Sequence, residues 1–150
     1  MFIKKFLEDM YKTFILHAVV AHFPNGLIPA AFFFMLLAVV TIDPFYEHTV
    51  LHLIAVSLCF IPVSFVSGIR DWRNKFKGVR APIFIKKITL SLFLFVFCCL
   101  IVVLRISHPD ILYSQGLLRW IYILLVCMTI PLVVLLGHYG GKLSPQARRT

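Results

Sequence analysis

Four long apolar segments limit what this chain can fold into more than any other feature of its sequence. They cover about residues 14–42, 49–67, 83–104 and 117–137. A helix needs about 20 residues to cross a bilayer, so each segment is long enough to span one. Membrane strands are shorter and alternate in polarity, which excludes a barrel. The sequence therefore predicts an all-α integral membrane protein, a bundle of four spanning helices in a single membrane domain over residues 1–150.

The charge balance supports an integral membrane protein and excludes a soluble domain. The chain is 61% apolar and 14% charged, with a formal net charge of +9. A soluble domain has roughly 25% charged residues, so this chain has too little polar surface to be soluble. A basic protein that binds nucleic acid needs a hydrophilic body to display its charge. We therefore expect a lipid bilayer, and no nucleic acid, as the partner.

The N-terminal part of the chain has a different pattern. Between Phe2 and Ile15, apolar residues recur at helical spacing while charged residues fill the opposite face. This pattern predicts an amphipathic helix that lies at the membrane interface over residues 1–13. The first span is longer than one straight crossing requires, and its HFPNGLIP stretch, residues 22–29, predicts a break in the helix.

The positive charges predict the orientation of the bundle. Of the fifteen Lys and Arg residues, thirteen lie in the N-terminal part, the 68–90 stretch or the C-terminal tail. An even number of spans places these three regions on one side of the membrane. By the positive-inside rule that side is cytoplasmic, so both termini are expected there.

The histidines are the most informative polar residues. His17 and His22 at the start of the first span, and His138 at the end of the fourth, share a depth in this topology. Neutral imidazole is a common axial ligand of haem iron, so His17 or His22 opposite His138 could hold one b-type haem. His17 and His22 are about 140° apart on a helix, so both cannot face one iron unless the helix bends. The alternative is that each histidine only bonds to backbone carbonyls.

Other residues are candidates for roles around such a site or at a second one, and all of them except His52, which lies near the opposite face, are at the same boundary. Arg70, Arg73 and Lys86 are candidates to pair with haem propionates. His52, Asp71 and Lys87 are candidates for a second site, a quinone pocket or a proton path, because ionisable groups in a membrane are costly and often functional. The alternative for His52 is that it is a packed, hydrogen-bonded residue. The alternative for Asp71 is an ion pair with a neighbouring cation.

No motif indicates soluble-enzyme chemistry. The chain lacks a GxxxxGK[ST] loop, a GxSxG elbow and an HExxH zinc motif, and its four cysteines form no CxxC pair. We therefore assign no catalytic residue, and haem iron is the only metal that we expect.

Three stretches together resemble a known family. HAVVAHFPNGL at residues 17–27, GIRDW at 68–72 and GHYGGKL at 137–143 are similar to those of an uncharacterised bacterial family of four-helix integral membrane proteins with HFP, GxxDW and GG motifs. Members are often fused to Rieske or c-type cytochrome domains. The resemblance implies a multi-pass protein of the bacterial inner (cytoplasmic) membrane with a redox role.

The function predicted from all of this is a cytochrome-b-like electron-transfer subunit of a quinone-linked oxidoreductase complex. It would bind one haem b near the cytoplasmic face and exchange electrons between the quinone pool and other subunits docked on the basic loop. The alternative is a haem-free membrane anchor or assembly subunit that docks a peripheral redox complex through that loop. A small transporter or metal-ion channel is a third hypothesis.

Overall fold

The computed structural model describes residues 15–75, 77–78 and 81–143, together with Ile3 and Glu8. These residues form four α-helices: α1 (Ile15–Thr41), α2 (Pro44–Lys75), α3 (Pro82–Ser107) and α4 (Leu117–Lys142). All four are long and apolar enough to cross a membrane. The prediction of an all-α protein with four spanning helices is therefore confirmed. The interfacial helix predicted over 1–13 lies outside the described residues, apart from Ile3 and Glu8, which are helical.

The helices form an antiparallel ring. Each helix packs on its neighbours in sequence, and α4 closes the ring against α1, while the backbones of the diagonal pairs are not in contact. The two ends of the bundle are named here the termini end and the loop end. The termini end contains the start of α1, the end of α4 and the α2–α3 connection. The loop end contains the α1–α2 turn and the α3–α4 loop.

The core is built from residues that recur every three or four positions, the spacing that places them on one face of a helix. On α1 it comprises Ile28, Ala31, Met35 and Ala38, on α2 Val50, Ile54 and Ile61, on α3 Leu94, Cys98 and Ile101, and on α4 Tyr122, Val126 and Val133. Ile111 and Leu112 of the α3–α4 loop are also buried and close the loop end. The packing is therefore tight from the loop end to mid-depth.

The α1–α2 turn is short because its residues suit a sharp reversal. Ile42 has a positive φ of 57° and ends α1, and the Asp43 carboxylate then accepts a hydrogen bond from the Phe45 N–H at 2.9 Å. This is the bond of a helix N-cap, and Pro44 begins α2 at a position where its missing N–H costs nothing.

Two predictions about helix boundaries are wrong. The break expected in HFPNGLIP is absent, because α1 is one helix that includes Pro24 and Pro29. A proline removes one helical hydrogen bond, but in an apolar environment helical structure is still the best way to satisfy the remaining backbone groups. The charged stretch after residue 67 was expected to connect two helices, yet α2 continues to Lys75. At 1.5 Å per residue the 32-residue α2 is about 48 Å long, well over the ~30 Å apolar thickness of a bilayer.

Candidate functional site

A cavity of about 460 Å³ opens inside the termini end, and all four helices contribute to its wall. Small residues make the space: Ala18 and Ala21 on α1, Gly68 on α2, and Gly137, Gly140 and Gly141 on α4. A Cβ added at Gly137 or Gly141 would meet nothing within 4 Å. The space therefore exists because many of the residues that line it have side chains too small to fill it.

His17 lies on this wall, and its ring is oriented by α2. Its Nδ1 is 3.0 Å from the carbonyl oxygen of Ser64 and 3.2 Å from the Ser67 hydroxyl. The Ser67 hydroxyl donates its own hydrogen to the same Ser64 carbonyl at 3.0 Å. Both partners of Nδ1 therefore act as acceptors, so Nδ1 bears the hydrogen and the neutral ring has its lone pair on Nε2. Within the described residues Nε2 makes no hydrogen bond.

Gly68 provides the room that the His17 ring occupies. A Cβ at Gly68 would lie 3.0 Å from Cε1 and 3.3 Å from Nδ1 of the ring. Contacts this short are tighter than nine in ten real Cβ contacts, so a Cβ here requires the imidazole to move by a few tenths of an ångström. The α1 histidine and the α2 glycine thus fit together.

Asp71 and Lys87 complete the polar part of the cavity wall. Both are close enough to His17 to act on it electrostatically, and they act on each other in the same way. Asp71 reaches the cavity because α2 continues beyond its apolar segment. Lys87, one turn into α3, extends across the space, and its Nζ is 4.0 Å from the Cβ position of Gly140 on α4. A base, a carboxylate and an amine from three helices therefore meet in one cavity whose wall is mostly apolar.

Trp72 and Phe84 are two aromatic residues of the wall, and their ring centroids are 5.9 Å apart. The two rings join the end of α2 to the start of α3. Trp72 therefore lies where a bound ligand would change its fluorescence.

The structure does not unite the three histidines that the sequence offered as haem ligands. His17 and His22 both line the cavity, but they are on the same continuous helix, and His22 is exposed. His138 is exposed, does not line the cavity, and packs against the Tyr139 ring at 5.6 Å between centroids. These residues do not fit a haem held between two histidines. His17 alone has the donor set of a single axial ligand, a free Nε2 with the opposite nitrogen bonded to a carbonyl.

The cations proposed for haem propionates do not line this cavity. Nε of Arg70 is 3.9 Å from Oδ1 of Asp71, the ion pair that was the alternative reading of Asp71. Arg73 is exposed, and the exposed Lys86 places its Nζ 5.9 Å from the centroid of the Tyr139 ring. Their positive charges thus lie at the termini end but not among the residues that line the cavity.

His52 lies far from this cavity. It is exposed on α2 near the loop end, one turn after His48, whereas Asp71 and Lys87 lie at the termini end. The three residues that the sequence grouped as a second site therefore belong to opposite ends of the bundle.

A second buried polar cluster lies at the loop end, and sequence reasoning missed it. Oε1 of Glu47 accepts hydrogen bonds from Nε of Arg105 and, at 2.9 Å, from the hydroxyl of Tyr122. Glu47 is only 1% exposed and Arg105 7%. In the sequence, one acid at the start of α2 and one base at the end of α3 lie at the same depth. This shared depth was the signal that could have indicated the ion pair. An ion pair removed from water in this way connects α2, α3 and α4.

Tyr113 adds a hydroxyl near this cluster. It belongs to the α3–α4 loop, and its burial raises the pKa of the phenol, with further upward contributions from Glu47 and Asp43 and an opposing one from Arg105. Within the described residues its hydroxyl has no hydrogen-bond partner. Tyr113 is therefore neutral in the folded protein over the physiological pH range.

Comparison with known proteins identifies the class to which this bundle belongs. Residues 13–148 match the family described as "Predicted membrane protein (DUF2231)". Because the match covers nearly the whole chain, the protein belongs to this family of membrane proteins, whose function is not known. Neither the curated proteins nor the solved structures contain a match to it.

Proposed function

We propose that this protein is a membrane redox subunit that binds a quinone or quinol head group in the termini-end cavity. The observation that most supports this is the His17 ring, with its Nδ1 hydrogen engaged by α2 and its Nε2 left for a ligand. An apolar pocket with a few convergent polar groups is typical of small-molecule sites. A quinone combines a polar, hydrogen-bonding ring with an apolar body and reaches such a pocket from within the bilayer.

The three ionisable residues His17, Asp71 and Lys87 each have a chemical role in this proposal. Oxidation of a quinol releases two electrons and two protons, and reduction of a quinone takes them up. Nε2 of His17 accepts a hydrogen bond from a quinol hydroxyl and takes its proton as the electrons leave. Asp71, on the side of the cavity toward the charged end of α2, passes protons to water. Nζ of Lys87 donates to the carbonyl oxygen of the quinone. The electrons are exchanged with a redox protein at the membrane surface.

The basic end of the bundle is where that redox partner docks. In this proposal the termini end faces the cytoplasm of a bacterial inner membrane, as the distribution of Lys and Arg predicts. The last turns of α2 extend beyond its apolar segment and present Arg73 at the surface. A positive surface of this kind attracts an acidic partner, and its effect weakens as ionic strength rises. A haem-free anchor would use the same surface but would leave the cavity without a ligand.

Fluorescence of Trp72 tests the proposal directly. The chain has two tryptophans, and replacing the exposed Trp120 by phenylalanine leaves Trp72 as the only reporter. Addition of a short-chain quinone to this variant in detergent is expected to quench the fluorescence with saturation, because Trp72 lines the cavity. Quenching that rises linearly without saturation would contradict a specific site.

Two pairs of variants locate the ligand. His17→Ala removes a hydrogen bond and is expected to raise the Kd for the quinone about tenfold. Gly68→Ala keeps every polar group but shifts the His17 ring by a few tenths of an ångström, so we expect a smaller loss in the same direction. The matched controls are His138→Ala and Gly26→Ala, which both lie outside the cavity wall, and the Cβ added at Gly26 meets nothing within 4 Å. Equal affinities in all four variants would overturn the role of His17.

A second candidate is a haem bound in the same cavity with His17 as its one axial ligand. Two observations favour it, the Nδ1 bond to the Ser64 carbonyl and the glycines that leave room for a flat ring. A bound haem would supply one-electron chemistry. The test is the absorption spectrum of protein purified from a haem-sufficient host. A b-type spectrum that is lost in His17→Ala and kept in His138→Ala supports this candidate, and a colourless preparation excludes it.

A further inference from the structure

A pair of histidines on the outer surface of α2 lies apart from the cavity. His48 and His52 are one helical turn apart near the loop end, and both side chains are exposed. Their ring centroids are 6.3 Å apart with an interplanar angle of 33°. Residues at i and i+4 share a helix face, so the two imidazoles can act together on one ligand.

The backbone determines which nitrogen of His52 is available. Its Nδ1 lies 2.6 Å from the carbonyl oxygen of His48, which can only accept a hydrogen bond. Nδ1 therefore bears the hydrogen, and the lone pair is on Nε2. Metal-binding histidines usually have this arrangement, with the second ring nitrogen bonded to a carbonyl or carboxylate. The helix thus orients the His52 ring as it would in a metal site.

The position of the pair gives it access to water. Side chains on a helix tilt toward its N-terminus, and α2 begins at the loop end. Both rings therefore lean out of the bundle toward the loop-end surface. Because both side chains are exposed, small rotations can bring each Nε2 atom to about 2.0–2.1 Å from one shared metal ion, the usual metal–nitrogen distance.

We infer that His48 and His52 chelate one divalent transition-metal ion at the loop end, through their two Nε2 atoms. Imidazole suits copper, zinc and nickel, and Cu²⁺ binds such ligands most tightly among the divalent ions of this series. The described residues place no third histidine, cysteine or carboxylate beside the pair. Water molecules therefore complete the coordination sphere, and the ion remains open to exchange.

Cu²⁺ binding to the purified full-length protein in detergent tests this inference. Titration is expected to give one site per chain, with nitrogen hyperfine structure from two imidazoles in the electron paramagnetic resonance spectrum. Because a chelate needs both rings, His48→Ala and His52→Ala should each weaken binding by about tenfold or more, and the double variant should weaken it at least as much. His108→Ala, another exposed loop-end histidine, is the matched control and should bind normally.

Two results would overturn the inference. One is unchanged affinity in both single variants, which would place the copper elsewhere. The other is an additive loss, with each single variant weakened slightly and the double variant much more, because it would mean two independent imidazoles. His48 and His52 are on the surface, so unchanged circular dichroism and thermal midpoint are expected for all variants and verify that they fold.

Discussion

Two tyrosine hydroxyls lie near the buried carboxylate of Glu47, and only one of them is bonded to it. Tyr122 donates to Oε1 at 2.9 Å, whereas within the described chain Tyr113 has no hydrogen-bond partner. A buried hydrogen bond to a charged group is worth more than one between neutral groups. The two hydroxyls are therefore expected to differ in their value to the fold.

We expect Tyr122→Phe to destabilise the protein by about 1–3 kcal/mol, because it leaves a buried carboxylate with one donor fewer. Tyr113→Phe removes a hydroxyl that bonds to nothing in the described residues, so we expect no loss of stability. Thermal unfolding of both variants in the same detergent checks the difference. Equal midpoints for the two variants would show that the Glu47 cluster does not depend on Tyr122.

At this scale the sequence allowed His17, Asp71 and Lys87 to be named but not the relation between them. The orientation of His17 depends on Ser64 and Ser67, which are 47 and 50 residues further along the chain. Contacts of that separation follow from how two helix faces meet, and local spacing does not determine this. For the same reason the depth shared by His17 and His138 did not make them neighbours, because depth leaves the direction around the helix axis open.

Among the elements, α4 contributes most to the cavity through residues that have no side chain. Gly137 and Gly140 line it, and a Cβ at Gly137 would meet nothing within 4 Å. Gly26 on α1 is equally unobstructed but is not part of the cavity wall. These two glycines make a matched pair for testing whether the space is used.

Gly137→Leu is expected to fill part of the cavity and to weaken quinone binding by tenfold or more, because a branched side chain occupies the space of the ligand. Gly26→Leu adds the same side chain outside the cavity, so we expect normal binding. The Trp72 titration measures both. Similar affinities for the two variants would mean that the ligand does not occupy the space beside α4.

The helices illustrate what an apolar pattern determines and what it does not. The existence and order of the four spans follow from segment length alone. The end of α2 does not, because helix formation depends on backbone hydrogen bonds rather than on apolarity. Asp71 and Trp72 therefore remain helical in a charged stretch, and this places them on the cavity. The prolines of α1 had the opposite effect on the prediction. They indicated a helix end where the helix continues, since a membrane helix tolerates proline.

For the whole molecule, the orientation in the membrane decides which side each site faces. Thirteen of the fifteen cations belong to regions at the termini end, so the cavity is expected to open near the cytoplasm and the His48–His52 pair on the opposite side. The fold alone is compatible with either orientation in the membrane. The orientation predicted from the charges therefore needs an experimental test.

Two exposed positions test the orientation. Ser114 lies in the α3–α4 loop, and Lys77 in the α2–α3 connection. In spheroplasts, a membrane-impermeant maleimide is expected to label Ser114→Cys without treatment and Lys77→Cys only after permeabilisation. The native cysteines lie within α2, α3 and α4, and the unsubstituted protein measures their background. The reverse labelling pattern would place the termini end outside the cell.

The central claim is that a quinone occupies the cavity around His17, and photo-crosslinking with an azido-quinone tests it most directly. After irradiation in lipid vesicles and proteolysis, mass spectrometry identifies the labelled peptides. Labels are expected on peptides that contain His17, Trp72 or Lys87. Excess unmodified quinone is expected to abolish this labelling. Labels spread over the lipid-facing surfaces of the helices, unaffected by competition, would contradict it.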